Sequence, residues 1–211
     1  MKMRFYSVLA ISAILVSACS NNNGKTEPPA HDMENMNKDS TEQHAVATDD
    51  KEIKTVAVTY GNVDATAAAS IKSIVDHYLH IKTALTNDNG DEAASGAKAM
   101  QEAIGKLDKS LLTAEQKAAF DKDSEELAEH AEHIAKNGDK IKHQRLHFSM
   151  LSEVVYAVAK SFGAGRPLYH EHCPMYNDNK GAMWLSDAKE VKNPYYGSEM
   201  LTCGTVEEVI Q

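Results

Sequence analysis

The residues best suited to chemistry lie between positions 170 and 203. His170, His172, Cys173 and Met175 come in one run, His170-Glu171-His172-Cys173-Pro174-Met175, and Met200 and Cys203 follow in Met200-Leu201-Thr202-Cys203-Gly204. Thiolate and thioether sulfurs are soft donors that favour Cu(I) or Ag(I), and imidazole suits copper, zinc and nickel. On a strand, positions 170 and 172 face one side, and a turn at Pro174 brings Cys173 or Met175 inward. Three or four of these donors would close a metal site. Copper as Cu(I) is the first expectation for the ion, and zinc the second. An opposing reading needs only the two cysteines, which in an oxidising compartment form a Cys173–Cys203 disulfide with the methionines in the core. Both readings stand at this point.

Other imidazoles sit in helical sequence as three close pairs, His77/His80, His130/His133 and His143/His147. Spacings of three and four place both rings on neighbouring parts of one helix face, where a metal can be shared. His80 falls away from the apolar stripe of its helix and is expected in solvent. His130 and His147 fall on the borders of theirs, where they can meet between the third and fourth helices. No HExxH and no carboxylate-plus-ExxH pattern is present, which argues against a hydrolytic zinc or di-iron centre. Taking Cys173 as a nucleophile with His170 or His172 as its base leaves no oxyanion hole and no third partner in view. The expectation is a binding protein, not an enzyme.

These donors must be positioned by helices over most of the chain. Ile71, Ile74, Val75, Tyr78, Ile81 and Leu85 form one stripe of a first helix over about 65–87. A second, alanine-rich helix spans about 91–109, with Ala97, Met100, Ile104 and Leu107. Thr113-Ala114-Glu115-Gln116 is a capping box that opens a third, running to Lys136. Asp139 is placed to cap a fourth, with Ile141, Phe148, Leu151, Val155, Val158 and Phe162 on its apolar side and Gly163 at its end. Short connections between four amphipathic helices predict an antiparallel up-down four-helix bundle, mainly α in class. After Pro167, turn residues and alternation predict a small loop-rich unit with short β-strands, anchored by Trp184 and Tyr195-Tyr196. Residues 64–211 are expected to form a single domain.

The N-terminal 18 residues have a basic start (Lys2, Arg4) and an apolar run from Val8 to Val16, the pattern of a secretory signal and too short to span a bilayer permanently. Val16-Ser17-Ala18-Cys19 resembles the bacterial lipobox, which implies cleavage before Cys19 and lipid on its sulfur. The protein is thus expected to be a membrane-anchored lipoprotein with a periplasm-facing body, on the outer membrane given Ser20 after the cysteine. Residues 19–63 are polar, carry Pro28-Pro29, and read as a disordered tether. His31, Met33 and Met36 lie within it; a polar linker is the simpler reading of them than a metal lure. Without residues 1–18 the 22 basic residues become 20, against 31 acidic ones, a formal charge of about −11. That balance argues against a nucleic-acid partner and gives weak attraction for cations.

The stretch CPM…GAMWLS…KEVKNPYYG…MLTCG resembles a bacterial domain-of-unknown-function family, the one numbered 3347, whose members show CPM, WLS, NPYFG-like residues and a final M-x-x-CG. HQRLHFSMLSE (143–153) resembles the last-helix segment of that family, and IKTALTNDN in the first helix fits as well. The resemblance extends over roughly residues 70 to 210 and singles out Cys173, Met175, Trp184, Asn193, Pro194, Met200 and Cys203, with His143, Arg145, His147 and Phe148 on the helix. Related domains extend periplasmic heavy-metal efflux adaptors. This implies copper or silver handling and an efflux adaptor as partner; the alternative is a structural or protein-interaction module of an efflux assembly, with a Cys173–Cys203 disulfide and no metal.

Overall fold

Asp64 accepts hydrogen bonds from the backbone N–H groups of Thr66 and Ala67, and this cap starts α1 (Ala65–Thr86). Asn89 caps α2 (Gly90–Lys106) through the N–H of Glu92. The expected capping box between Thr113 and Gln116 opens α3 (Ala114–Lys136). The fourth long helix, α4 (Ile141–Phe162), begins differently from expectation. Lys140 is its cap residue, with no side-chain bond to the first turn, so Asp139 does not fill that role. It stops at Gly163, whose φ of +71° suits a residue without Cβ. The second helix ends three residues before its expected end because Leu107 turns extended and Asp108 caps a separate 3-10 turn, Lys109–Leu111.

The computed structural model describes residues 53–211. The signal segment, Cys19, His31, Met33 and Met36 lie outside the described residues. No helix among the described residues is long and apolar enough to cross a membrane.

The protein is mainly helical with a small four-stranded sheet. Helix α1 packs on α2, α2 on α3, α3 on α4, and α4 returns to α1. The sheet is formed by β1 (Lys54–Val56), β2 (Leu168–Cys173), β3 (Ala182–Ser186) and β4 (Thr205–Ile210), in the order β1-β4-β2-β3. β1 runs parallel to β4, and β2 is antiparallel to both β4 and β3. Strand β1 corrects the expected tether boundary at residue 63. Its backbone pairs with the free edge of β4, and the N–H groups of Thr59 and Tyr60 then bond the last carbonyls of α4, at Lys160 and Ser161. Val58, Tyr60 and Val63 are too few to form an amphipathic period, yet each packs on the core.

One hydrophobic core joins helices and sheet. Tyr78 stacks on Phe148 and bonds Ser152 at 2.8 Å, while its oxygen accepts the N–H of Leu185 in β3. Trp184 and Tyr195, both buried, meet edge-to-face at 5.7 Å, and so anchor the C-terminal region as expected.

Candidate metal centre

The sulfurs of Cys173 and Cys203 lie 2.8 Å apart as free thiols. Cys173 is the last residue of β2 and faces the core; Cys203 follows the loop that Asn193 organises. The Asn193 amide donates to the Cys203 carbonyl at 2.7 Å, and its oxygen accepts the N–H groups of Tyr195 and Tyr196. Burial, then the hydrogen bond and the charge of Cys173, push the Cys203 thiol up to about 11. At neutral pH it is a protonated thiol, a poor nucleophile and a metal ligand only after losing its proton.

The other expected members differ in exposure and in what they bond. Met175 is 46% exposed, and its backbone carbonyl, not its sulfur, is bonded by Tyr196. Met200 is half-buried, and its carbonyl accepts the Cys203 N–H. His170 and His172 do face one side, as their spacing requires. Each presents Nδ1 at 3.4 Å from an oxygen of Glu207. Glu207 is the extra residue of a bulge, because His170 pairs with Glu208 while Glu171 pairs with Val206. His172 and Cys173, as strand neighbours, point to opposite faces, so the imidazole pair and the thiol pair lie on different sides of β2.

A second group of donors forms between α3 and α4. The ligand atoms of His133, His143 and His147 all lie within 4.8 Å of one another. Its geometry follows from helix periodicity: 133 on α3 and the i, i+4 pair 143 and 147 on α4 share one seam. The rings of His133 and His147 are stacked at 4.0 Å with 2° between their planes, and His143 stands 4.6 Å from His147 at 55°. His130 completes the group, its Nδ1 3.3 Å from Nδ1 of His147. Burial, and then the neighbouring imidazoles, hold His147 down to about 4. Burial also lowers His130, against the opposite pull of Glu129 and Glu126. Neutral imidazole is the form that ligates a metal.

The chemistry this permits is specific. Donors on a tetrahedral zinc sit about 2.0–2.1 Å from the ion, hence about 3.3 Å from each other. The three imidazoles need a contraction of the order of an ångström or more. Parallel stacked rings also have parallel lone pairs, so His133 or His147 must turn for both to reach one ion. His133 and His143 are only partly buried, which leaves room for this rotation. His80 has no part in the cluster; it bonds Glu92 at 2.6 Å on the opposite helix pair. Among the described residues this is the one cluster of three or more His, Cys, Asp or Glu ligand atoms so gathered.

Residues 74–166 match the family described as "Protein of unknown function (DUF3347)". This segment is of that family. The match covers α1 from Ile74 to α4 and stops just beyond it, so His133, His143 and His147 fall inside and Cys173 and Cys203 beyond. No curated protein and no solved structure matches the chain. The structure also gives roles to the other residues that the family resemblance singled out. Arg145 bonds Pro194, Leu85 and Asp88, and Phe148 is buried in the core.

Proposed function

We propose that this chain is a lipid-anchored, periplasm-facing protein that binds a transition-metal ion, and that the imidazoles of His133, His143 and His147 hold it. The observation that carries this reading is the convergence of three ligand atoms within 4.8 Å on two packed helices. An imidazole set without sulfur suits zinc or Cu(II). We read α1 to α4 as an antiparallel up-down four-helix bundle that serves as the rigid frame for the seam. The protein buffers its ion or passes it to an efflux assembly through an adaptor partner, and it performs no reaction of its own. The anchor is the lipid on Cys19.

The sulfur site for Cu(I) or Ag(I) is the second reading, favoured by the contact between Cys173 and Cys203. Two Cu(I)-bound thiolates would have to separate beyond 2.8 Å, and the exposed Met175 would have to fold inward.

Equilibrium dialysis of wild type and the His143→Ala/His147→Ala protein against Zn(II) and Cu(II) tests the first reading. Wild type is expected to retain one ion per chain and the double variant none. A wild type that retains no ion, or a variant that retains it as tightly, overturns the assignment. For the anchor, Cys19→Ser is expected to move the protein from the membrane to the soluble fraction.

A further inference from the structure

We infer that His130 is the positioning residue of this site: its Nδ1 accepts the Nδ1–H of His147 and so presents Nε2 of His147 as the metal-binding nitrogen. The inference rests on the proposed imidazole site and goes beyond it by assigning the fourth histidine and the tautomer of the third.

The contact itself is a 3.3 Å approach of two Nδ1 atoms. A neutral imidazole has one donor and one acceptor nitrogen, so one ring must give its Nδ1 proton to the other. The surroundings decide the direction. His130 lines a groove of about 500 Å³ between α3 and α4, whose other polar members include Asp123, Glu126, Glu129 and Glu153 against the single cation Lys122. The charges of Glu126 and Glu129 act on His130 directly. A negative groove favours the proton on the His130 nitrogen that is turned away from His147, namely Nε2. With the proton on Nε2, Nδ1 is left with a lone pair and must accept. His147 is then the donor at Nδ1, and its lone pair lies at Nε2.

This chain of carboxylate, His130, His147 and metal is the arrangement by which outer partners fix a ligand's tautomer and raise its basicity. The alternative direction would place a proton on Nε2 of His147 and close that nitrogen to an ion. The remaining nitrogen, Nδ1, would be the one already engaged by His130.

Two independent measurements test the assignment. In the metal-free protein, long-range nitrogen–proton correlation spectra of the imidazoles report the tautomer of His147, and the proton is expected on Nδ1. In competition titrations with Co(II) against a chromophoric chelator, His130→Ala is expected to weaken binding by about 10- to 100-fold. His130→Asn is expected to restore most of it, because its Oδ1 occupies the place of Nδ1 as an acceptor. Thermal melts of both variants identify any loss caused by unfolding. A proton on Nε2 of His147, wild-type affinity in His130→Ala, or equal weakening in the folded Ala and Asn variants overturns the inference. If wild type binds no ion at all, the site reading fails, while the tautomer measurement still decides the hydrogen-bond direction.

Discussion

Cys173 and Cys203, thirty positions apart, bring their sulfurs to 2.8 Å at the point where the end of β2 meets the segment leading into β4. Asn193 holds the backbone of Cys203 in place, so the approach does not depend on the two side chains alone. Oxidation would close a loop of that length. By loop-closure entropy this is worth about 3 to 4 kcal/mol of stability. The oxidised protein is expected to melt well above the dithiol form, and Cys173→Ser/Cys203→Ser should melt like the reduced wild type whether or not reductant is present. Equal melting temperatures for oxidised and reduced wild type would show that the pair does not staple the fold. Because the Cys203 thiol is pushed up to about 11, its alkylation at pH 7 is expected to be slow.

Glu171 is fully buried on β2, and neither carboxyl oxygen has a partner at full hydrogen-bond geometry, with the Trp184 side chain and the Lys192 backbone approaching only weakly. Burial is the first cause of its rise to about 8, opposed mainly by the charge of Lys82. Lys82, itself lowered by burial, gives its ammonium to Ser186 at 3.3 Å and does not pair directly with the carboxylate. A carboxyl raised above its ordinary 4.5 contributes stability that is complete below that value and lost as pH rises through about 8. The difference is on the order of 5 kcal/mol across the window. Unfolding free energies of wild type and Glu171→Gln should therefore diverge between pH 5 and 8, with wild type falling relative to the variant. Parallel profiles would mean that Glu171 is ionised in the fold.

Arg145 ties three segments together. Its Nε donates to the Pro194 carbonyl at 2.8 Å, and Nη2 donates to Leu85 at 2.9 Å and Asp88 at 2.6 Å. Asp88 has φ +56° and also accepts the N–H and hydroxyl of Ser198. A Cβ at Gly197 would collide with the Asp88 carboxylate, which explains the glycine of NPYYG together with its φ of +54°. The Ser198 bonds first, then Arg145, hold Asp88 down to about 2. Its contribution persists at neutral pH and is lost only as pH falls from about 4 toward 2. Arg145→Met should cost about 2 to 4 kcal/mol, since it strands two carbonyls and a carboxylate. Arg145→Lys should recover only part of this, because an ammonium cannot reproduce the fork. A denaturant titration that finds both variants within 0.5 kcal/mol of wild type, a difference of about the size expected of ordinary surface changes, would remove the knot from the account of the fold.

The helices were legible because each carries its own period and all but α4 a side-chain cap; the capping box at Thr113 and the stripe from Ile71 to Leu85 depend on neighbours only. The meeting of His130 and His147 was legible for the same reason, since both follow from helix borders. β1 was not. Lys54, Thr55 and Val56 gain their strand pairing from β4, some 150 positions away, and three residues are too few to announce it locally. The His170/His172 pair shows the opposite failure: the strand and the shared face were readable, yet alternation also sends Cys173 to the other side. Proximity in sequence there implied a convergence that the pleat forbids. The closeness of Cys173 to Cys203 was readable as an alternative between thiols in a metal site and thiols in a disulfide, and the fold brings the sulfurs together without choosing between them.

The imidazole and thiol groups separate cleanly by the ion that each prefers. His133, His143 and His147 are nitrogen donors, suited to Zn(II) and Cu(II). Cys173, Cys203, Met175 and Met200 are sulfur donors, suited to Cu(I) and Ag(I). The Cys203 thiol is raised by burial, so Cu(I) bound there must displace its proton and binds more weakly as pH falls. Titrating the reduced protein anaerobically with each ion should show Zn(II) or Cu(II) binding that survives Cys173→Ser/Cys203→Ser and disappears in His143→Ala/His147→Ala. Cu(I) binding that disappears only in the cysteine variant would move the functional site to the sheet. Loss of Zn(II) binding in the cysteine variant, with its fold intact by circular dichroism, would contradict a site made of imidazoles alone.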